Sequence, residues 1–266
     1  MTIIEAIILA IVEGLTEFLP ISSTGHMLIA ASLMGMEPTD FLKNYVVIIQ
    51  FGAILSVCMM YYRRFIKDFK FYIKLFVAFI PAGVFGLLFN DLIEQALESP
   101  IVVGINLFLG GIFLLFVDKI FAKNDSIEDS EPNIKQSFII GLFQVIAMIP
   151  GVSRSAATIV GGLTQKLNRK SAAEFSFFLA VPTMLAACGY KVLKMILNAE
   201  TTHVEYDWTL LIIGSLIALF VAIFAIKFFI EFLTKYGFKW FGWYRILVGG
   251  IIILLYYLNI ELNLVG

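Results

Sequence analysis

The chain has 266 residues, 60% hydrophobic and 15% charged, with a mean hydropathy of +0.93. Soluble domains average about 45–50% apolar and about 25% charged, so a soluble globule is excluded. The same apolar richness excludes disorder, and a formal net charge of −1 leaves no basic footprint for nucleic acid.

A polytopic membrane protein remains, and the chain can be measured against the bilayer. A spanning helix needs about 20 mostly apolar residues. The first apolar stretch, Ile3–Leu33, fails that standard because Glu13, Glu17, Pro20 and the run Ser22-Ser23-Thr24-Gly25-His26 interrupt it. It reads as two half-length helices around a polar break, and Glu5 near its start argues against a cleavable leader. Three spans follow, near Tyr45–Tyr62, Phe71–Phe89 and Ile101–Phe121, and then a polar linker at about residues 122–135. Ser137–Leu163 is again apolar but broken, by Gln144, Pro150, Gly151, Ser153, Arg154 and Ser155. Three more spans lie near Phe175–Leu197, Thr209–Phe232 and Tyr244–Leu258. Aromatics such as Tyr61, Trp208, Trp240, Trp243 and Tyr257 fall near span ends, as interfacial rings do. Cys58 and Cys188 sit in apolar runs and read as core residues.

The expected fold is therefore an all-α polytopic membrane protein in one domain, with six transmembrane helices and two re-entrant helical hairpins. The first half (about residues 1–121) and the second (about 136–266) read as a repeat. A shift of 131 puts Glu13 on Gln144 and Ser22 on Ser153. Three spans per half forces the halves into opposite topology, an inverted repeat. Arg63, Arg64, Lys67, Lys70 and Lys74 mark the cytoplasmic side; so do Lys119, Lys123, Lys135, Lys166, Arg169 and Lys170, and Lys227, Lys235, Lys239 and Arg245 around the last loop. Asp91, Glu94, Glu98 and the polar loop holding His203 read as external. Both termini are then external, and the two breaks dip in from opposite faces to meet near the midplane.

Glu13 and Glu17, four apart, share a helix face, and two carboxylates in a bilayer need a cationic offset: Arg154, a divalent metal or a shared proton. The alternative role for such a set is a structural ion pair joining the hairpins. Each break ends one half-helix and starts another, and the free amides of a helix start favour phosphate. Arg154 adds a guanidinium suited to phosphate oxygens. His26 is placed to share the Ser23 site and move a proton; Gln50 and Thr158 complete the polar lining. This constellation suits metal-assisted phosphoryl chemistry on an amphiphile, and it also suits ion-coupled transport.

The stretch Glu13-Gly14-Leu15-Thr16-Glu17-Phe18-Leu19-Pro20-Ile21-Ser22-Ser23-Thr24-Gly25-His26 resembles the first signature of the undecaprenyl-diphosphate phosphatases of the BacA/UppP type. Pro150-Gly151-Val152-Ser153-Arg154-Ser155-Ala156-Ala157-Thr158 resembles the second, with Ala156 where the family often has Gly. The resemblance implies a bacterial inner-membrane enzyme that removes one phosphate from undecaprenyl diphosphate, recycles the envelope lipid carrier and is linked to bacitracin resistance. It also implies a divalent cation (Mg or Ca), a homodimer and a site open to the outer side. Carried over by motif, Glu13 and Glu17 hold the metal or act as base, and Arg154 binds the diphosphate. Ser23 is the expected nucleophile, activated by His26 or Glu17, with activated water as the alternative. Ser22, Thr24, Ser153, Ser155, Thr158 and Gln50 are expected to contact substrate. The rival function is a transporter or flippase of a polyprenyl phosphate lipid.

Overall fold

The computed structural model describes residues 1–67, 69–97, 99–202, 207–258, 260 and 262, and every regular element among them is helical. Two short helices come first, α1 (Ile3–Thr16) and α2 (Ser23–Leu33). They are followed by α3 (Asp40–Met60), α4 (Tyr62–Lys67), α5 (Phe69–Leu88), α6 (Asn90–Leu97) and α7 (Pro100–Ile120). A 3-10 turn, Ala122–Ser126, leads to α8 (Ile134–Ile146), α9 (Arg154–Thr164), α10 (Arg169–Thr202), α11 (Trp208–Tyr236) and α12 (Lys239–Tyr257). In a bilayer no water satisfies amides and carbonyls, so long apolar runs close those bonds within helices.

Six of these, α3, α5, α7, α10, α11 and α12, are long and apolar enough to cross a membrane. Their outer faces carry large apolar side chains: Phe76 is 61% exposed, Phe116 56% and Phe224 72%. A water-facing surface would not carry such a belt, so the chain is a multi-pass membrane protein. The spans match those read from hydropathy to within a few residues, but α3, α10 and α12 begin earlier than expected, at Asp40, Arg169 and Lys239. The first turn of α10 is capped by Asn168, whose side chain accepts from the Ser171 amide (2.8 Å), and its cations are paired, Arg169 with Asp118 (2.9 Å) and Lys170 with Asp129 (2.5 Å). Short α4 and α6 are additions that hydropathy does not reveal. The linker is not free: Asn124 is buried and donates to the carbonyls of Leu163 (2.7 Å) and Leu167 (2.9 Å). Glu98 and His203, both expected on the external side, lie outside the described residues.

Helices α1, α2, α8 and α9 have 14, 11, 13 and 11 residues. At about 1.5 Å per residue none spans a hydrocarbon core of about 30 Å. Their starts and breaks correspond at an offset of 131 residues. A capping box, in which Thr2 and Glu5 exchange backbone and side-chain hydrogen bonds, opens α1; Asn133 and Gln136 do the same for α8. Ser22 precedes α2 with φ 66°, and Ser153 precedes α9 with φ 78°. The packing also pairs off, α1 lying against α11 and α8 against α5, while α3 meets α10 and α7 meets α12.

The α7–α12 seam depends on glycine. A Cβ on Gly249 would come within 2.7 Å of the Gly104 carbonyl oxygen, and one on Gly111 within 2.8 Å of the Gly242 carbonyl oxygen. The two glycines on each helix are seven residues apart and meet in antiparallel register, the close approach that small residues allow between membrane helices. Cys58 and Cys188 are free thiols packed among apolar residues.

Candidate active site

The polar breaks, residues 17–22 and 147–153, come together in the interior. Positive φ is rare for a residue with a Cβ and costs of order 1–3 kcal/mol unless the surroundings enforce it. Here both Ser22 and Ser153 adopt it, and so does Gly151 at φ 87°. Only glycine fits at 151, where a Cβ would sit 2.4 Å from the Val103 carbonyl oxygen.

What holds these loops is Arg245, from the second turn of α12, which is only 1% exposed. Its Nη1 donates to the carbonyls of Pro20 (3.1 Å) and Val152 (2.9 Å), and its Nη2 to those of Gly151 (2.9 Å) and Asn106 (3.2 Å). Gly110 leaves room for it, since a Cβ there would lie 2.2 Å from Nη2. The expectation that Arg245 is a cytoplasmic loop charge is therefore corrected. Carbonyls of both breaks would otherwise be buried without partners, and a forked five-donor cation satisfies several together.

Between the breaks lies a cavity of about 190 Å³. Its walls include Glu17, Ser22, Ser23, Thr24, Gln50, Ser153 and Arg154, together with Met148 and Met184. Ser23 Oγ donates to Glu17 Oε2 at 2.6 Å. Arg154 Nη2 donates to Glu17 Oε1 at 2.8 Å, tying the first break to the second, and Nη1 donates to the Ser176 carbonyl at 3.0 Å. The Arg154 guanidinium also lies 5.6 Å from the centre of the Phe18 ring, which supports it from one side. The two helix starts differ. Ser153 Oγ accepts from the Ala156 amide, whereas Ser22 makes no side-chain cap, so the first amides of α2 have no side chain over them. An uncapped helix start beside an arginine favours an anion.

Not every expected residue reaches this cavity. Glu13 lies one turn before Glu17, fully buried, and among the described residues no hydrogen-bond donor reaches either of its oxygens. Ser155 Oγ is taken by the Leu19 carbonyl (2.6 Å), and Thr158 Oγ1 by the Arg154 carbonyl (2.8 Å) and Ser176 Oγ (2.6 Å). Both are buried braces between elements. His26 makes no hydrogen bond to Ser23. Its Nδ1 donates to the Ser22 carbonyl (2.8 Å), which fixes the tautomer, and Nε2 then accepts from Tyr244 Oη (2.7 Å). Tyr244 stacks on the imidazole with ring centres 5.5 Å apart.

The chain matches the family described as bacitracin resistance protein BacA over residues 6–251. It belongs to the BacA family. BacA relatives bear this out at close range. The undecaprenyl-diphosphatase of Porphyromonas gingivalis is 53% identical over 274 residues, covering 96% of this chain and 97% of its own. Those of Bdellovibrio bacteriovorus and Flavobacterium psychrophilum are 51% and 54% identical, each covering 100% of both chains.

The donor set here can be tested against a divalent cation. Among the described residues no three His, Cys, Asp or Glu side chains gather into a ligand cluster. Magnesium, however, is commonly bound by one or two carboxylates and completed by water and substrate phosphate oxygens. The orphaned, buried oxygens of Glu13 beside Glu17 fit that pattern.

Proposed function

We propose that this BacA-family chain hydrolyses undecaprenyl diphosphate to undecaprenyl phosphate and inorganic phosphate, returning the carrier lipid to peptidoglycan and envelope synthesis. The observation that carries the reading is the Ser23–Glu17–Arg154 chain inside the polar cavity. Serine is a weak nucleophile until a base takes its proton, and Glu17 is at hydrogen-bond distance from the hydroxyl.

In this mechanism the diphosphate enters with its terminal phosphate against the start of α2 and the Arg154 guanidinium. Ser23 Oγ attacks the terminal phosphorus and its proton passes to Glu17. The bond from that phosphorus to the bridging oxygen breaks, and undecaprenyl phosphate leaves as a stable anion. Glu17 releases that proton to solvent, takes one from the water that attacks the phosphoserine, and passes it to the departing Ser23 oxygen, so the hydroxyl is restored as inorganic phosphate departs. Phosphoryl transfer needs chiefly positioning and neutralisation of charge, which Arg154 and the amides of α2 supply. Ser22, Thr24, Ser153 and Gln50 line the path of the phosphate oxygens. Glu13 and Glu17 would hold a divalent cation, magnesium or calcium, whose positive charge further neutralises the diphosphate. His26, held by Tyr244, braces the Ser22 turn through the Ser22 carbonyl.

The proposal extends to placement in the bacterial inner membrane. The halves are inverted repeats, supported by the matching capping boxes and the matching positive-φ serines, so the breaks enter from opposite faces. Clusters of Lys and Arg set both termini and the mouth of the site toward the outer side. A homodimer is part of the reading, but Gly111 and Gly249 are used within one chain and do not form its seam.

Phosphate release by purified protein in detergent tests the function, since no second compartment exists there to support transport. The wild type releases phosphate from the lipid diphosphate, and a chelator stops it until magnesium or calcium is restored. A wild type that binds the lipid but releases none would favour a flippase.

A further inference from the structure

A second cavity, of about 600 Å³, lies where α3 ends and α5 and α10 begin, with linker residues 129–132 along one wall. It shares no wall residue with the cavity holding Ser23. Its volume is in the range of about 300–1,000 Å³ typical of ligand sites. Part of the wall is aromatic. Phe178 stands edge-to-face with Tyr61 (centres 5.1 Å apart, 87°) and Phe71 (5.2 Å, 80°), and Phe71 and Phe178 are buried. One ring face already holds a cation, for the Arg64 guanidinium lies 5.6 Å from the centre of Phe71.

Among the described residues the charged groups of the wall are Arg64, Asp129, Glu131 and Glu174, one cation against three carboxylates. Most of them are committed. Glu131 is paired with Arg64 and with Lys74. Asp129 accepts from Lys170 (2.5 Å) and Asn168 (2.9 Å), and the Lys170 hydrogen bond holds its carboxyl below the usual range. Glu174, half-buried on the same wall, makes no hydrogen bond or ion pair among the described residues. Arg64, Lys74 and Lys170 are thus engaged with other carboxylates, and a carboxylate beside aromatic rings is left for a ligand. Carboxylate and ring faces together select an ammonium group.

The position selects an amphiphile. Three apolar spans end or begin around the cavity, which sets it at the level of lipid head groups. We propose that this cavity binds an amine-headed phospholipid, its ammonium held between Glu174 and the rings of Tyr61 and Phe178.

The test is native mass spectrometry of delipidated protein titrated with phosphatidylethanolamine, phosphatidylglycerol or ethanolamine alone. Wild type is expected to retain the ethanolamine lipid at least about threefold better than the glycerol lipid, the scale of an exposed cation–π and charge contact. Glu174→Gln and, independently, Tyr61→Leu should bring the two lipids to parity. Phosphate release by Glu174→Gln should match wild type, showing that the variant is folded. Equal retention of both lipids by wild type, or a preference that survives in Glu174→Gln, would overturn the proposal. So would binding of free ethanolamine as strong as that of the lipid.

Discussion

Glu17 divides its two oxygens between a serine and an arginine, and that division sets what each substitution does. Glu17→Gln keeps an acceptor for Arg154 but removes the base for Ser23. Its kcat is expected to fall by about 10²–10⁴, the usual contribution of a general base, with unfolding in detergent little changed. Glu17→Ala leaves a buried guanidinium unpaired, and should lower stability by about 3–5 kcal/mol as well as abolish phosphate release. Arg245 predicts a different signature. Arg245→Met strands carbonyls of both breaks and should cost about 3 kcal/mol or more, seen as an early thermal transition, although Arg245 does not touch the Ser23 hydroxyl. Glu13, Glu17 and Arg154 are legible in sequence because charge at membrane depth is conspicuous. Arg245 is not, because a cation at the start of a span after Lys239 looks like any other topology marker. Only the fold shows the carbonyls it serves. The bracing bonds of Ser155 and Thr158 are hidden for a related reason: a hydroxyl near a helix start can bind substrate or brace a neighbour, and spacing cannot distinguish the two.

Among the helices, the seam between α7 and α12 gives the sharpest expectation. Gly249→Ala would press a methyl to 2.6 Å from the Phe108 amide nitrogen, whereas Gly250 has open space around its would-be Cβ. Overpacking of this kind costs about 1–3 kcal/mol, so Gly249→Ala should unfold at lower temperature in detergent while Gly250→Ala stays within about 0.5 kcal/mol of wild type. Equal behaviour of the two variants would contradict the seam. The sequence shows the Gly249-Gly250 pair but not which of the two faces a partner helix, because that depends on the rotation of both helices. The six spans were readable within a few residues, since length and apolarity decide them. The early start of α10 was not, because its first turn carries Arg169 and Lys170, whose partners Asp118 and Asp129 are distant in sequence.

For the molecule as a whole, the matching features at an offset of 131 residues support the proposal that one architecture is used twice in opposite senses. Single cysteines at Thr2 and Asn133, the corresponding helix caps, should then react with an impermeant thiol reagent from opposite sides of the membrane, in a background lacking Cys58 and Cys188. Labelling of both from one side would contradict the inverted arrangement. That arrangement matters because it brings two helix starts, one with Ser23 and one with Arg154, to a single cavity. The central claim is that Ser23 carries the phosphoryl group between them. Rapid acid quench of enzyme turning over lipid diphosphate labelled in its terminal phosphate, followed by peptide mass spectrometry, tests it directly. Labelled phosphoserine is expected at residue 23 and should disappear as inorganic phosphate forms. Phosphate release at the wild-type rate from Ser23→Ala, or labelled phosphate in solution with no protein-bound label at any time during turnover, would contradict it.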